Sequence, residues 1–191
     1  MPTSSIQTDI PFRLDRLPWS RFHLLVVLGL GITWILDGLE VTIVGALGPA
    51  LQSPDTLKLS SANLGSIASF YVAGAVVGAL GFGWITDRFG RRLVFYITLI
   101  IYLSGVILSA LAWNFWSFGF FRMITGLGIG GEYAAVNSAI DELIPAKYRG
   151  RIDLIVNGSF WLGAAFGALA APVLLDQRSS RPTWDGASDS R

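Results

Sequence analysis

The chain contains five apolar stretches, each long enough to cross a lipid bilayer. They cover residues 22–51, 64–85, 93–112, 115–140 and 154–175. A membrane-spanning helix needs about 20 predominantly apolar residues, since its backbone polar groups must pair within the segment. The stretches therefore predict an all-α, polytopic helical membrane protein with about five transmembrane helices.

Charge content supports the same class. Charged residues make up 14% of the chain and the formal net charge is +1, whereas soluble domains carry about 25% charged residues. This composition excludes a disordered chain, a nucleic-acid binder and most cytosolic enzymes.

Basic residues predict how the chain is oriented. Short cytoplasmic loops carry an excess of Lys and Arg. Nine of these residues lie in the N-terminal segment and in the loops after the second and fourth spans, whereas the opposite side has only Lys58. We therefore expect residues 1–21 to form a cytoplasmic tail and residues 22–175 a five-helix membrane domain. The predicted location is the plasma membrane, specifically the bacterial inner membrane.

The last segment, residues 176–191, is rich in Ser, Asp and Gly and is expected to be a disordered tail. It carries three arginines on the side where few are expected. An odd number of spans followed by such a tail suggests a chain cut short or read out of frame. A genuine five-span protein with an external tail is the alternative.

Two carboxylates, Asp37 and Glu40, lie near the middle of the first span. A charge at that depth costs about 2.5–3.5 kcal/mol on insertion scales, so these side chains should face a cavity or a partner. Their spacing of three places them on one helix face. A buried carboxylate can exchange a proton near neutral pH, as a proton-coupled transporter requires. A purely structural role remains the alternative.

The fourth span carries Arg122 and Glu132. Ten residues separate them, about 15 Å along a helix, so they cannot pair with each other. The acids of the first span are the obvious partners for Arg122, although Arg122 could instead reach the outer interface near Trp113 and Trp116. The predicted substrate and proton-coupling site comprises Asp37, Glu40, Arg122, Glu132, Asn137 and Tyr71.

Glycines recur one helical turn apart in three spans, at Gly74 and Gly78, Gly126 and Gly130, and Gly163 and Gly167. Such spacing lets helices approach backbone to backbone. The resulting contacts would serve either sliding of helices or static packing. The third span has no charge, and we expect it to be an outer, lipid-facing support.

Neither an enzyme nor a cofactor protein is predicted. The chain has no Cys and one His, which leaves no metal-ligand set and no nucleophile–base pair. Gly126, Gly128 and Gly131 match a dinucleotide-binding pattern, but that pattern requires a strand before it and a helix after it.

Three motifs resemble those of the major facilitator superfamily. The first runs from Gly83 to Arg92 with Asp87, Arg88, Gly90 and Arg91 in place; the second extends from Arg122 through the glycines to Glu132; the third comprises Glu142, Pro145, Arg149, Gly150 and Arg151. The first two resemble the helix 2–3 loop and fourth-helix motifs of that superfamily, and the third resembles the helix 4–5 loop motif of its sugar-porter-like and metabolite–proton symporter branches. Leu36–Glu40 is similar to a first-helix signature of aromatic-acid symporters, with Glu replacing the second Asp.

The resemblance implies twelve helices in two halves, with the solute site between them and lined by the first and fourth helices. It implies that Gly83, Asp87, Arg88, Gly90, Arg91 and Arg92 form a conformational latch, and that Glu142, Arg149 and Arg151 belong to a cytoplasmic gate.

We therefore expect a proton-coupled symporter of a small solute, a sugar or small organic acid, working by alternating access. The chain would be its truncated N-terminal part and would need the missing C-terminal half for activity. The expected partners are the solute, protons and the lipid bilayer, but not nucleic acid. The alternative is a non-transporting membrane fragment or interaction module that requires a separate second half.

Overall fold

A computed structural model describes residues 10–54 and 56–179, which form seven helices and, within those ranges, no strand. The helices are α1 (Ile10–Asp15), α2 (Arg21–Ala46), α3 (Gly48–Gln52), α4 (Ser61–Phe89), α5 (Arg91–Ala110), α6 (Phe115–Leu143) and α7 (Ala146–Ser179). The predicted all-α class is confirmed.

Five of these helices are long. Within the described residues α2, α4, α5 and α7 are long and apolar enough to cross a membrane. Helix α6 is as long as α4 but contains Arg122 and Glu132 in its middle. Because α6 packs between α4 and α5, its charged groups are shielded from lipid. The chain is a multi-pass membrane protein.

Two of the predicted spans have different bounds in the structure. The first span breaks at Leu47, and α3 starts at Gly48 with Pro49 in its first turn, a position where proline is tolerated because the N–H has no helical partner. Helix α7 begins at Ala146, well before residue 154, since a charged first segment can continue the helix beyond the bilayer. It ends at Ser179, inside the predicted disordered tail, whose residues 180–191 lie outside the described part.

Helix α6 is the centre of the bundle. It packs extensively against α4 on one side and α5 on another, while α2 pairs mainly with α7 and touches α6 more sparingly. Its start is fixed by Asn114, whose side chain accepts the Ser117 N–H at 2.8 Å, a capping contact that satisfies one free donor of the first turn.

The glycine pairs form the close contacts between helices. A Cβ on Gly126 or Gly130 of α6 would collide with the backbone of Tyr71 or Ala75 of α4, and Gly74 and Gly78 of α4 face α6 in the same way. The third pair behaves similarly toward α2, since a Cβ on Gly163 would strike the backbone of Ile35. The predicted backbone-to-backbone approach is confirmed.

Apolar side chains cluster at two levels of the bundle. One cluster contains Trp34, Val136, Ile140, Ile144, Ile152 and Val156, and the other contains Leu59, Ile67 and Phe118. Four ionisable residues lie between these levels: Asp37 and Glu40 of α2, and Arg122 and Glu132 of α6. The polar groups are thus held in the middle of the bundle by packing above and below them.

Candidate functional site

An ion pair joins α2 to α6 inside the bundle. Arg122 donates from Nη1 to Oε1 of Glu40, and the two side chains are only 5% and 11% exposed. Glu40 Oε2 is buried and has no hydrogen-bond partner among the described residues. The expectation that the first span supplies the partner of Arg122 is met by Glu40, so Arg122 does not turn to the outer interface.

Tyr71 of α4 completes the surroundings of Arg122. The guanidinium carbon lies 4.9 Å from the centre of the Tyr71 ring, within range of a cation–π interaction. Arg122 therefore contacts side chains from both α2 and α4. Three predicted residues from three helices meet at this point.

Two cavities border the ion pair. One of about 660 Å³ is lined by Glu40 and Arg122 together with mainly apolar residues of α2, α3, α5 and α6. The other, of about 270 Å³, lies between α2, α4 and α6 and is lined by Tyr71 and Arg122. The larger volume falls in the range of small-molecule sites. Beyond the ion pair its walls offer few polar groups.

Asp37 and Glu132 form a second buried acidic group. Each is 2% exposed. Both Glu132 oxygens lack a hydrogen-bond partner within the described ranges. Burying an ionised carboxylate without a partner is costly. The partner expected for Glu132 is not found in the described part of the chain.

Tyr102 of α5 was missed by sequence reasoning. It is buried and packs on Gly128 of α6. The prediction that the third span is an outer, lipid-facing support is therefore wrong for one face of α5, which packs inward. It holds for the opposite face, where Ile100 and Ile107 are exposed. The buried residues Val94, Thr98 and Tyr102 recur every four positions, a periodicity that could have revealed this inward face.

Asn137 lies further along α6 than Glu132 and is half-buried. No side-chain hydrogen bond involving it occurs in the described residues. The structure does not bring Asn137 to the Glu40–Arg122 pair.

At one end of the bundle, the loop between α4 and α5 is tied to the end of α6. Arg91 forms an ion pair with Glu142, and its Nε donates to Ser138 Oγ at 2.6 Å. A predicted latch residue is thus joined to a predicted gate residue, and Ser138 is a contact that the sequence did not suggest. We call this end, which also carries residues 145–151, the basic end.

The turn at the basic end depends on Gly90, whose φ of +85° is rarely adopted by other residues. Asp87, Arg88 and Arg92 are exposed, and Gly83 is half-buried. Arg88 lies 5.8 Å from the ring centres of Trp84 and Phe89. Asp87 forms no ion pair within the described part of the chain.

The other two predicted gate residues form no ion pair with Glu142 in the described part of the chain. Arg149 donates from Nε to the Ile144 carbonyl at 2.8 Å and lies 3.4 Å from Asp15 of the N-terminal segment. Arg151 is exposed. The N-terminal segment and the α6–α7 loop consequently lie at the same end of the bundle, in agreement with their shared basic character.

Comparison with known proteins identifies the family of the chain. The pattern of the Major Facilitator Superfamily matches residues 25–187. The niacin transporter of Acinetobacter baylyi is 35% identical over 164 residues, which are 85% of this chain and 37% of that protein. The gentisate transporter of Corynebacterium glutamicum is 33% identical over 74% of this chain and 31% of its own length.

A plant relative is also similar. Organic cation/carnitine transporter 7 of Arabidopsis thaliana is 32% identical over 85% of this chain and 32% of its own length. The chain thus spans about a third of the length of each of these relatives.

Proposed function

Since the chain belongs to the Major Facilitator Superfamily, we propose that it forms the N-terminal part of a transporter that carries a small organic acid together with protons by alternating access. Residues 22–175 would be its membrane domain and residues 1–21 a cytoplasmic tail. The protein would lie in the plasma membrane, with the basic end toward the cytoplasm because three Lys- and Arg-rich segments meet there.

The buried Glu40–Arg122 ion pair is the observation that carries this proposal. Removing two charges from water is costly, and separating such a pair leaves each charge without compensation. The pair can open at low cost when Glu40 takes up a proton while an anionic solute takes its place on Arg122. Solute binding and proton binding would thereby be linked at one point.

An organic acid fits the surroundings of Arg122. A carboxylate accepts paired hydrogen bonds from a guanidinium, and the apolar walls of the neighbouring cavities would enclose the body of the solute. Niacin and gentisate, named for two relatives, are aromatic carboxylic acids. The plant relative is named for organic cations and carnitine, and the same bundle buries two further acids, Asp37 and Glu132, so carnitine belongs in any test panel.

The basic end supplies the proposed moving parts. Gly83, Asp87, Arg88, Gly90, Arg91 and Arg92 would form the latch, and Glu142, Arg149 and Arg151 the gate. The Arg91–Glu142 contact supports treating these groups as one network. Ion pairs that form in only one of two states set the relative populations of those states.

Reconstitution with a second half tests the proposal. The chain would be placed in proteoliposomes alone or with the C-terminal remainder of the Acinetobacter baylyi niacin transporter. We expect uptake of labelled niacin, gentisate or carnitine only in the combined sample, because the solute site requires walls from both halves.

The control is the same niacin transporter divided at the corresponding position. If its own two halves take up solute and the combined sample does not, the alternative of a non-transporting interaction module is favoured. Uptake by the chain alone would contradict the need for a second half.

A further inference from the structure

A contact between the N-terminal segment and the start of α7 is not explained by a transport site. Asp15 Oδ1 accepts the Ala146 N–H at 2.9 Å and lies 3.4 Å from Arg149 Nη2. Ala146 is the first residue of α7, where backbone N–H groups lack helical partners. One carboxylate thus satisfies a free donor and binds a cation from a segment 131 residues further along the chain.

A second contact holds the same segment at the first turn of α7. The Trp19 ring packs edge-on against Tyr148, with 5.4 Å between centres, and stacks on His23 at 5.3 Å. His23 is buried and accepts the Ser20 N–H at 3.1 Å, which fixes the start of α2. Residues 15–19 therefore bridge the beginnings of α2 and α7.

Arg149 is central to this bridge. Its Nε already donates to the Ile144 carbonyl, and Asp15 contacts the Nη2 end of the same guanidinium. Both side chains are partly exposed, 34% for Arg149 and 40% for Asp15, and exposed ion pairs are weak enough to open and close. An arginine held in this way is withheld from other anionic partners.

We propose that residues 15–19 are a reversible clasp that fastens the start of α2 to the α6–α7 loop and controls whether Arg149 is free. When the clasp is closed, Asp15 and Trp19 hold Arg149 and Tyr148. When it opens, Arg149 becomes available to an acidic group elsewhere in the protein or at the membrane surface. The clasp does not rest on the proposed solute, because it is defined by contacts within this chain.

Spin-label distances test the clasp in the intact chain in nanodiscs. The chain has no native Cys, so labels at Arg13→Cys and Gly150→Cys, both exposed positions, are the only ones present. We expect one narrow distance for the parent. Asp15→Ala should broaden it and lower the closed-to-open ratio about fivefold, the effect typical of losing a capping side chain.

Asp141→Ala is the matched control, since Asp141 is an exposed acid at the same end and should leave the distance unchanged. A second label pair, at Phe89 and Gly150, has no label on the N-terminal segment. Its distance should be the same in Asp15→Ala and in the parent, whereas unfolding of the bundle would change it. A broad parent distribution, or equal distributions for Asp15→Ala and the parent, would overturn the proposal.

Chemical modification measures the consequence for Arg149. Treatment with phenylglyoxal followed by mass spectrometry should modify Arg149 several-fold faster in Asp15→Ala than in the parent, while exposed Arg92 reacts at the same rate in both. Equal rates at Arg149 would show that the contact does not control this arginine.

Discussion

Arg122→Met is expected to lower the free energy of unfolding of the chain by about 3 kcal/mol, because it leaves the buried Glu40 carboxylate without its partner. It also removes the cation from the face of the Tyr71 ring. The measurement is unfolding by SDS in mixed micelles, followed by tryptophan fluorescence. Arg92→Met, at an exposed position, should change the same quantity by no more than about 0.5 kcal/mol.

The double variant Glu40→Met/Arg122→Met separates loss of the pair from loss of packing. Replacing both members of a buried ion pair with apolar side chains of similar volume is often neutral. The double variant should therefore recover most of the stability lost in Arg122→Met. If the losses of stability in Glu40→Met and Arg122→Met add up to the loss in the double variant, the two side chains are not coupled. The ion pair then contributes nothing to the free energy of unfolding.

Gly126→Leu is expected to be at least as damaging as Arg122→Met. A Cβ at this position would overlap the carbonyl of Tyr71, and a helix backbone cannot move aside without separating α4 from α6. Overpacking of a tight core costs about 1–3 kcal/mol and occasionally more. We expect Gly126→Leu to lower the free energy of unfolding by about 3 kcal/mol or more, measured by the same SDS titration.

Gly81→Leu provides the comparison for this substitution. Gly81 lies on α4, is exposed and has no atom within 4 Å of a built Cβ. Its replacement should leave the free energy of unfolding nearly unchanged, and the α4–α6 contact should survive. Equal losses for Gly81→Leu and Gly126→Leu would mean that the close contact between α4 and α6 does not determine the effect.

The parts of the fold that sequence predicts well are those governed by local spacing. Length and hydropathy locate the spans, and glycines four residues apart identify the surfaces where α4 meets α6. The partner of Arg122 could be narrowed to two residues, because an arginine within a span needs a carboxylate and the first span contains Asp37 and Glu40. In each case one physical requirement leaves few solutions within the chain.

Contacts between distant surface groups could not be predicted in the same way. Arg91 and Glu142 were assigned to separate motifs, and nothing local indicates that they meet. Asp15 is an ordinary acid in a polar segment until the fold brings it to the start of α7. Such pairs depend on how whole helices are placed, and many alternatives would satisfy the same charges equally well.

The central claim is that proton and solute meet at the Glu40–Arg122 pair. Its most direct test is proton flux during solute uptake, measured with a pH-sensitive dye inside proteoliposomes that hold the chain and the second half described above. Glu40→Gln should retain solute exchange down a gradient but lose the accompanying proton movement, since the amide cannot release a proton. Asp141→Asn, altered at an exposed acid, should behave as the parent does. If Glu40→Gln moves as many protons per solute as the parent, the account is contradicted.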